Sequence, residues 1–209
     1  MLPVVRQGKF LNQMIRREWM ADLLRILPHV IDSEGGYKLH KVSGDKGGWT
    51  FAGIARNYHP DWPGWRLVDA GKGLSAECKK MVEDFYRVKF WAPVRGDEIE
   101  NMAVTEAIFD FGMNTSPSRS IIFAQYCLDC TPDGDLGPVT LGALNRIKQG
   151  SVHEELFLSQ FALVRIGYRC KRCDDNSVNK KFLHGWTERD IRVVDSVLNV
   201  TGFFGLNKR

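Results

Sequence analysis

The stretch from Glu34 to Ile54 reads EGGYKLHKVSGDKGGWTFAGI and divides the N-terminal third of the chain. Before it, apolar residues recur every three or four positions up to Ile31, which predicts a helix. Within it, six glycines separate short apolar runs, a composition typical of turns and short strands. Because glycine favours the left-handed conformation that ends a helix, Gly35 and Gly36 predict the helix terminus directly after Glu34. The stretch is therefore predicted to form a small glycine-rich β-hairpin insert.

The rest of the chain has mainly helical periodicity, so the predicted fold class is mainly α with a C-terminal helical bundle half. Serine and proline residues mark predicted helix starts, because they are favoured at N-caps and in first turns. Thr187 and Asp190 have the spacing of a capping pair, which predicts the start of the last helix. Further helices are predicted to begin at Ser75, Ala103, Ser118, Pro138 and Ser151.

The length, net charge and apolar runs of the chain indicate which kind of protein it is. It has 209 residues, with 29 Lys and Arg against 25 Asp and Glu, so the net charge is +4. No apolar run approaches the roughly 20 residues that cross a bilayer, so stable membrane insertion is not expected. The N-terminal residues lack the apolar core of a secretory signal, so we expect synthesis in the cytoplasm without a signal peptide.

The positive excess lies mostly in the C-terminal half. Residues 1–115 have 16 basic and 15 acidic residues, and residues 116–209 have 13 and 10. The basic segment is either a solvated helix face or a surface attracted to an anionic polymer. No nucleic-acid partner is expected, since no recognised motif or basic groove with interleaved aromatics is found. The segment contains Arg165, Arg169, Lys171, Arg172, Lys180 and Lys181.

Two cysteine pairs leave two interpretations open. Cys127 with Cys130, and Cys170 with Cys173, have the Cys-x-x-Cys spacing of a zinc site. Both pairs also lie in segments with ordinary apolar neighbours, as buried free thiols would. The histidines have no paired metal spacing, so no metal site and no cofactor is assigned, and the cysteines stay open between free thiols and zinc.

Three residues of the insert suggest acid–base chemistry. A carboxyl group at the end of an apolar helix, such as Glu34, can be partly desolvated and so keep its proton. Asp45 and Thr50 follow it, and a second carboxylate with a hydroxyl group could stabilise a cationic centre or activate water. Each also has a structural interpretation, Asp45 as a turn residue and Thr50 as a β-former.

These motifs resemble glycoside hydrolase family 108, lysozyme-like N-acetylmuramidases of phage endolysins and secretion-activator proteins. The resemblance lies in Glu34-Gly35-Gly36-Tyr37, in Asp45-x-Gly47-Gly48-x-Thr50-x-x-Gly53-Ile54, and in the segment from Phe109 to Asn114. Downstream, the segment from Asp133 to Leu141 is similar to the Asp-Gly-x-x-Gly-Pro-x-Thr motif of the peptidoglycan-binding region that accompanies this family. The segment from Phe182 to Arg189 resembles the end of that region. The candidate wall-binding residues are Asp133, Gly134, Gly137, Pro138 and Thr140.

The resemblance implies a lysozyme-like α+β fold and hydrolysis of the β-1,4 bond between N-acetylmuramic acid and N-acetylglucosamine. Glu34 would be the general acid, with Asp45 and Thr50 in the facing positions. Whether the reaction retains or inverts the anomeric configuration depends on the separation of the carboxyl groups. The candidate substrate contacts are Tyr37, Gly48, Trp49 and Asn114, although the two aromatic residues could equally wall the core and Asn114 could simply end a helix.

The resemblance also implies a biological setting. It divides the chain into a catalytic lobe, residues 1–115 with a motif core at 20–115, and a helical peptidoglycan-binding half, residues 116–209. The expected partner is the peptidoglycan glycan strand in the bacterial periplasm, and the expected form is a monomeric phage endolysin exported through a holin lesion or a secretion system. The alternative is a non-catalytic peptidoglycan-binding or secretion-accessory protein of the same fold.

Overall fold

The computed structural model describes residues 21–41 and 47–198, which form two compact units. One unit runs from Asp22 to Ala92, and the other contains Ala21 and the chain from Pro93 onward. Asp45 lies outside the described residues, so its predicted role stays a prediction.

The first unit combines helices with one small sheet. Asp22 caps the first helix, since its carboxylate accepts a 2.9 Å hydrogen bond from the Leu24 amide. Ser75 caps a later helix in the same way, as the sequence predicts. The elements are α1 Leu23–Ser33, β1 Leu39–Lys41, β2 Trp49–Phe51, β3 Ile54–Ala55, α2 Trp65–Asp69 and α3 Ala76–Tyr86, which continues into a π-helical turn Arg87–Trp91.

The predicted hairpin is a three-stranded antiparallel sheet in the order β1-β2-β3. His40 pairs with Thr50 and Thr50 pairs with Ala55, so these side chains share one face. Phe51 and Ile54 are buried on the other face, which packs into the core of this unit. The sheet therefore has one apolar face and one partly open face.

The second unit is a helical bundle. Three of its helices begin at side-chain caps, which Asn101, Ser116 and Ser151 provide. Val104, Phe111, Leu144, Phe157 and Phe161 belong to its buried core. The elements are a 3₁₀ turn Gly96–Glu98, α4 Met102–Asn114, α5 Pro117–Cys127, α6 Pro138–Leu144, α7 Val152–Asp175, a second 3₁₀ turn Ser177–Asn179, and α8 Lys180–Leu198.

The last helix differs from the sequence prediction. It begins at Lys180, so Thr187 and Asp190 lie inside α8 and the predicted cap is wrong. Asp190 is fully buried, and its two oxygens accept hydrogen bonds from Arg165 Nε at 2.7 Å and Arg169 Nε at 3.3 Å. A cap is a local feature, whereas this carboxylate is held by charges on another helix.

Asp110 extends this buried ion network to α4. It accepts hydrogen bonds from Arg165 Nη2 at 2.6 Å and from Arg189 Nε at 3.0 Å. Burial opposes its ionisation, but the charges of the two arginines outweigh burial, and the pKa of Asp110 is lowered from its ordinary value. Arg165 and Arg169 are 0% and 1% exposed, so these two members of the basic segment do not belong to a solvated face.

The mainly α fold with a small antiparallel sheet is confirmed. The predicted boundary between residues 115 and 116 stays a prediction; α4, which precedes it, packs in the second unit. Within the described ranges, no helix combines the length and the apolar character needed to cross a membrane.

We expect Asp190→Asn to destabilise the protein by about 3–5 kcal/mol, because it leaves two buried guanidinium groups without their shared carboxylate. The free energy of unfolding in urea, measured by circular dichroism, tests this. Asp175→Asn is the matched control: its partner Lys171 is exposed and lies 3.1 Å away, so the expected change is below about 0.5 kcal/mol. Equal losses of unfolding free energy in the two variants would contradict the prediction that the buried network stabilises the protein more than an exposed ion pair does.

Candidate active site

Glu34 stands at the C-terminal end of α1, where the backbone makes a tight closing turn. The Gly36 amide donates to the Ile31 carbonyl at 2.8 Å, and the Gly35 amide donates to the Asp32 carbonyl at 3.3 Å. This pair of bonds is the Schellman arrangement, which requires a left-handed residue after the helix. Gly35 has φ +93° and supplies that residue. The turn fixes the direction in which the Glu34 side chain leaves the helix.

A second turn lies against Glu34. Ala52 and Gly53 connect β2 to β3 with φ values of 47° and 76°, as in a type I′ hairpin turn. A Cβ atom on Gly53 would lie 2.3 Å from Tyr86 Oη and 3.2 Å from Glu34 Cβ and Cγ. Tyr86 Oη donates to the Ala52 carbonyl at 2.8 Å, which fixes the turn. Gly53 therefore lets the hairpin approach the Glu34 side chain closely.

The open face of the sheet lies beside the same helix end. Thr50 is half-buried on β2, directly opposite His40 on β1. The His40 ring packs against Gly35, since its Cε1 atom would be 3.2 Å from a Cβ placed there. His40 Nδ1 lies 3.2 Å from the Lys38 carbonyl oxygen. The structure thus brings His40, Thr50 and the turn after Glu34 together.

Gly48, which the sequence predicts to contact substrate, lies against the side chain of Asn57. Gly48 has φ +72°, and a Cβ atom there would lie 2.8 Å from Asn57 Nδ2. The Asn57 amide donates to the Gly47 carbonyl at 3.0 Å, so pairing of the hairpin extends beyond β2 and β3. Gly48 thus allows a close approach of the Asn57 side chain within the hairpin.

The two predicted aromatic contacts lie toward the apolar side of the sheet. Alternation along β2 places Trp49 on the face of Phe51, away from Thr50. Trp49 is 47% exposed, and Tyr37 meets Phe51 edge to face at 6.0 Å. The pKa of Tyr37 is raised above its ordinary value, and burial is the largest cause. The nearby negative charges of Cys78, Asp32 and Glu83 raise it further. Their predicted contacts with sugars stay predictions.

Asn114 lies at the end of α4 in the helical unit. Its Nδ2 atom donates to the Asp110 carbonyl at 2.8 Å, and its Oδ1 atom accepts from Arg189 Nη1 at 2.9 Å. The side chain is thereby linked to the buried ion network. Its predicted role in binding an acetamido group stays a prediction.

The predicted wall-binding motif folds around the buried side chain of Gln125. Gln125 Nε2 donates to Asp133 Oδ1 at 2.7 Å and lies 3.2 Å from Thr140 Oγ1. The Gly134 amide donates to Gln125 Oε1 at 2.9 Å. Gly137 and Pro138 then start α6. The motif thus closes a loop internally, and its wall-binding role stays a prediction.

The four paired cysteines do not assemble into a metal centre in the part of the chain that the structure describes. No group of three or more His, Cys, Asp or Glu side chains there could hold a metal ion. Burial raises the pKa of Cys127 to about 11, whereas zinc binds thiolates. Cys170 is exposed and Cys173 is buried, and both are free thiols.

Sequence reasoning missed His40 and Tyr86 as neighbours of the candidate acid. The Tyr86 hydroxyl contacts the Ala52 carbonyl across 34 residues of sequence, so no local pattern links it to the turn beside Glu34. His40 has no motif spacing, and only the strand register places it opposite Thr50. Alternation along a predicted β1 strand was the one signal that could have placed His40 on the open face.

We expect Gly53→Ala to destabilise the first unit more than Gly71→Ala does. Both glycines have positive φ, but a Cβ on Gly71 meets nothing within 4 Å, so it costs only the backbone strain of about 1 kcal/mol. On Gly53 the clash with Tyr86 adds a further ~1–3 kcal/mol of overpacking. Urea unfolding of the two variants measures the difference, and equal stability would contradict the close approach.

Comparisons with known proteins match two family models to successive parts of the chain. The family model for glycosyl hydrolase 108 matches residues 27–115. The model described as Predicted Peptidoglycan domain matches residues 119–191. No curated protein matches the chain in sequence.

A solved structure is similar over most of the chain. It is that of SagA from Brucella abortus, which has 25% sequence identity and a TM-score of 0.60. The match covers 85% of this chain and 94% of the SagA chain. Together with the family matches, this similarity supports a hydrolase of peptidoglycan. The chain thus contains a region of the glycosyl hydrolase 108 type, residues 27–115, followed by a predicted peptidoglycan domain, residues 119–191.

Proposed function

We propose that the protein is an N-acetylmuramidase, a lysozyme that cleaves the β-1,4 bond between N-acetylmuramic acid and N-acetylglucosamine. The observation that carries this proposal is the fixed position of Glu34 at the end of α1, against Gly53 of the hairpin turn. A half-buried carboxyl group at a helix terminus, beside a partly open sheet face, is suitably placed to protonate a bound sugar polymer. The family resemblance in the two flanking motifs supports the same bond.

The proposed chemistry needs an acid, a water molecule and a stabilising group. Glu34 donates its proton to the glycosidic oxygen, and the bond from that oxygen to the anomeric carbon breaks. Water adds to the anomeric carbon and supplies the new hydroxyl group, and the proton that this water loses passes to a carboxylate: Asp45 if the reaction inverts, or the ionised Glu34 if it retains. Thr50, on the open face, is proposed to hold this water. Asp45 is proposed as the second carboxylate on sequence grounds alone.

The proposed biological setting is host lysis in the bacterial periplasm by a phage endolysin. The resemblance to endolysins and secretion-activator proteins supports it. Expression in a bacterium with and without a holin-type membrane lesion tests the setting separately from the chemistry. Lysis that depends on the lesion is expected, and lysis without any lesion or export system would contradict this setting.

We expect Glu34→Gln to lower hydrolysis of purified sacculi by about a hundredfold or more, since loss of a general acid typically costs 10²- to 10⁴-fold. Released muropeptides, reduced with borohydride and analysed by mass spectrometry, should have N-acetylmuramic acid at the new reducing end. Glu77→Gln, an exposed change in α3, is the matched control and should keep full activity.

Full activity of Glu34→Gln, or new ends on N-acetylglucosamine, would contradict the proposed muramidase. Sacculus binding by the unaltered chain without release of any reducing end would instead support the non-catalytic alternative. Circular dichroism of Glu34→Gln excludes a folding defect as the cause of lost activity.

We expect His40→Ala to lower kcat by about tenfold with little change in KM, because a small displacement of a catalytic group is enough for such a loss. The ring packs against Gly35, so its removal frees the turn that directs Glu34. His40→Phe keeps a ring of similar size and should recover most of kcat. His153→Ala, an exposed change on α7, is the control. An unchanged kcat in His40→Ala would refute this positioning role.

A further inference from the structure

A row of alternating cations and aromatic rings crosses three helices of the second unit. The guanidinium of Arg172 lies 5.9 Å from the Tyr168 ring and 5.6 Å from the Trp186 ring. The Trp186 and Phe182 rings lie 5.7 Å apart at 31°, and Lys181 Nζ is 4.8 Å from the Phe182 ring. We call this row the cation–aromatic ladder; its members are Arg119, Tyr168, Arg172, Trp186, Phe182 and Lys181.

The ladder cations are not neutralised by carboxylates of the described residues. Among the described residues, Arg172 and Lys181 form no ion pair with a carboxylate and lie over aromatic rings, and Arg119 donates to the Tyr168 hydroxyl at 2.9 Å. Asp175, one turn beyond Arg172, is already paired with Lys171 at 3.1 Å. The ladder therefore presents uncompensated positive charge.

The rings of the ladder are accessible and held in place. Phe182 is 47% exposed, although it has a large apolar side chain. Trp186 is half-buried, and the buried guanidinium of Arg169 lies 5.1 Å from its ring. An aromatic ring fixed in this way at the surface loses little conformational entropy when a ligand stacks on it.

We propose that the cation–aromatic ladder is the surface by which this protein holds the peptidoglycan strand. The CH faces of N-acetyl sugars stack on Phe182 and Trp186, and the carboxylates of the stem peptides pair with Arg172 and Lys181. This inference rests on the proposed function in one respect, namely that the polymer bound is also the polymer hydrolysed.

Two observations favour this surface and this ligand. The Asp133 and Thr140 side chains of the predicted wall-binding motif are engaged with Gln125 inside the loop, whereas the ladder faces outward. All six ladder residues also lie within residues 119–191, the range matched by the peptidoglycan domain model. Stacking rings with cations could also serve a single-stranded nucleic acid, which the test must therefore include.

The test measures binding of the full chain to insoluble sacculi by sedimentation, with Glu34→Gln present throughout to prevent digestion. We expect Phe182→Ala and Lys181→Glu each to raise the Kd by about five- to tenfold. The matched controls are Leu163→Ala, which removes an exposed apolar side chain of α7, and Arg192→Glu, which makes the same charge change on α8. Thermal melting of each variant verifies folding, since all four positions are exposed.

Insoluble chitin separates stacking from charge, because it has N-acetyl sugars but no carboxylates. Phe182→Ala should weaken binding to chitin, and Lys181→Glu should leave it unchanged. Added salt should weaken sacculus binding by the parent chain more than by Lys181→Glu. Parent-like sacculus binding in both ladder variants would overturn the proposal.

Tighter binding of a fluorescent single-stranded oligonucleotide than of sacculi would also overturn the proposal, in favour of a nucleic-acid ligand. The binding measurements do not depend on whether the protein is a muramidase. Sedimentation reports binding without hydrolysis, and muropeptide release by the chain with Glu34 intact reports hydrolysis, so failure of either proposal is recognised by itself.

Discussion

The closing turn of α1 is the constraint on which the candidate site depends. Two backbone hydrogen bonds from Gly35 and Gly36 end the helix at Glu34, and they require the left-handed conformation at Gly35. The backbone geometry of this turn thus sets the direction in which the Glu34 side chain leaves the helix. Gly53 completes the arrangement, because any larger residue would collide with Tyr86 and displace the hairpin from Glu34. Gly35 thus allows the left-handed backbone that ends the helix, and Gly53 allows the hairpin to pack closely against Glu34.

The helical unit is held differently, by charge inside its core. Asp190 binds two arginines of α7, and Asp110 binds one of them together with Arg189 of α8. Buried ion pairs add little net stability compared with apolar packing, but a broken pair is costly because a charge stays behind without water. The network joins α4, α7 and α8 in the register seen in the structure. That fixed register is also what brings Arg172 of α7 and Trp186 of α8 to 5.6 Å.

The parts that sequence predicted well are those set by local chemistry. Glycines after Glu34 and a serine before α3 determine backbone conformation within a few residues, and both predictions are confirmed. Asp190 was misread as part of a cap because its partners lie 21 and 25 residues away. His40 could not be assigned for a related reason, since only the register of β1 against β2 places it beside Thr50. Pairing between distant residues leaves no fixed spacing in one sequence.

The two units meet the demands of an insoluble substrate by different means. A rigid acid lowers the barrier to bond cleavage only if it acts more strongly on the transition state than on the bound polymer. The Schellman turn orients Glu34 by backbone hydrogen bonds alone, so no sugar-binding energy is needed to direct the proposed acid. The ladder contacts a polymer that does not change during the reaction, so its binding energy keeps the enzyme on the wall without raising kcat. On the proposed function, strong ladder binding would slow movement to the next bond. A partly exposed row of cations and rings, screened by salt, would instead bind the wall with moderate affinity.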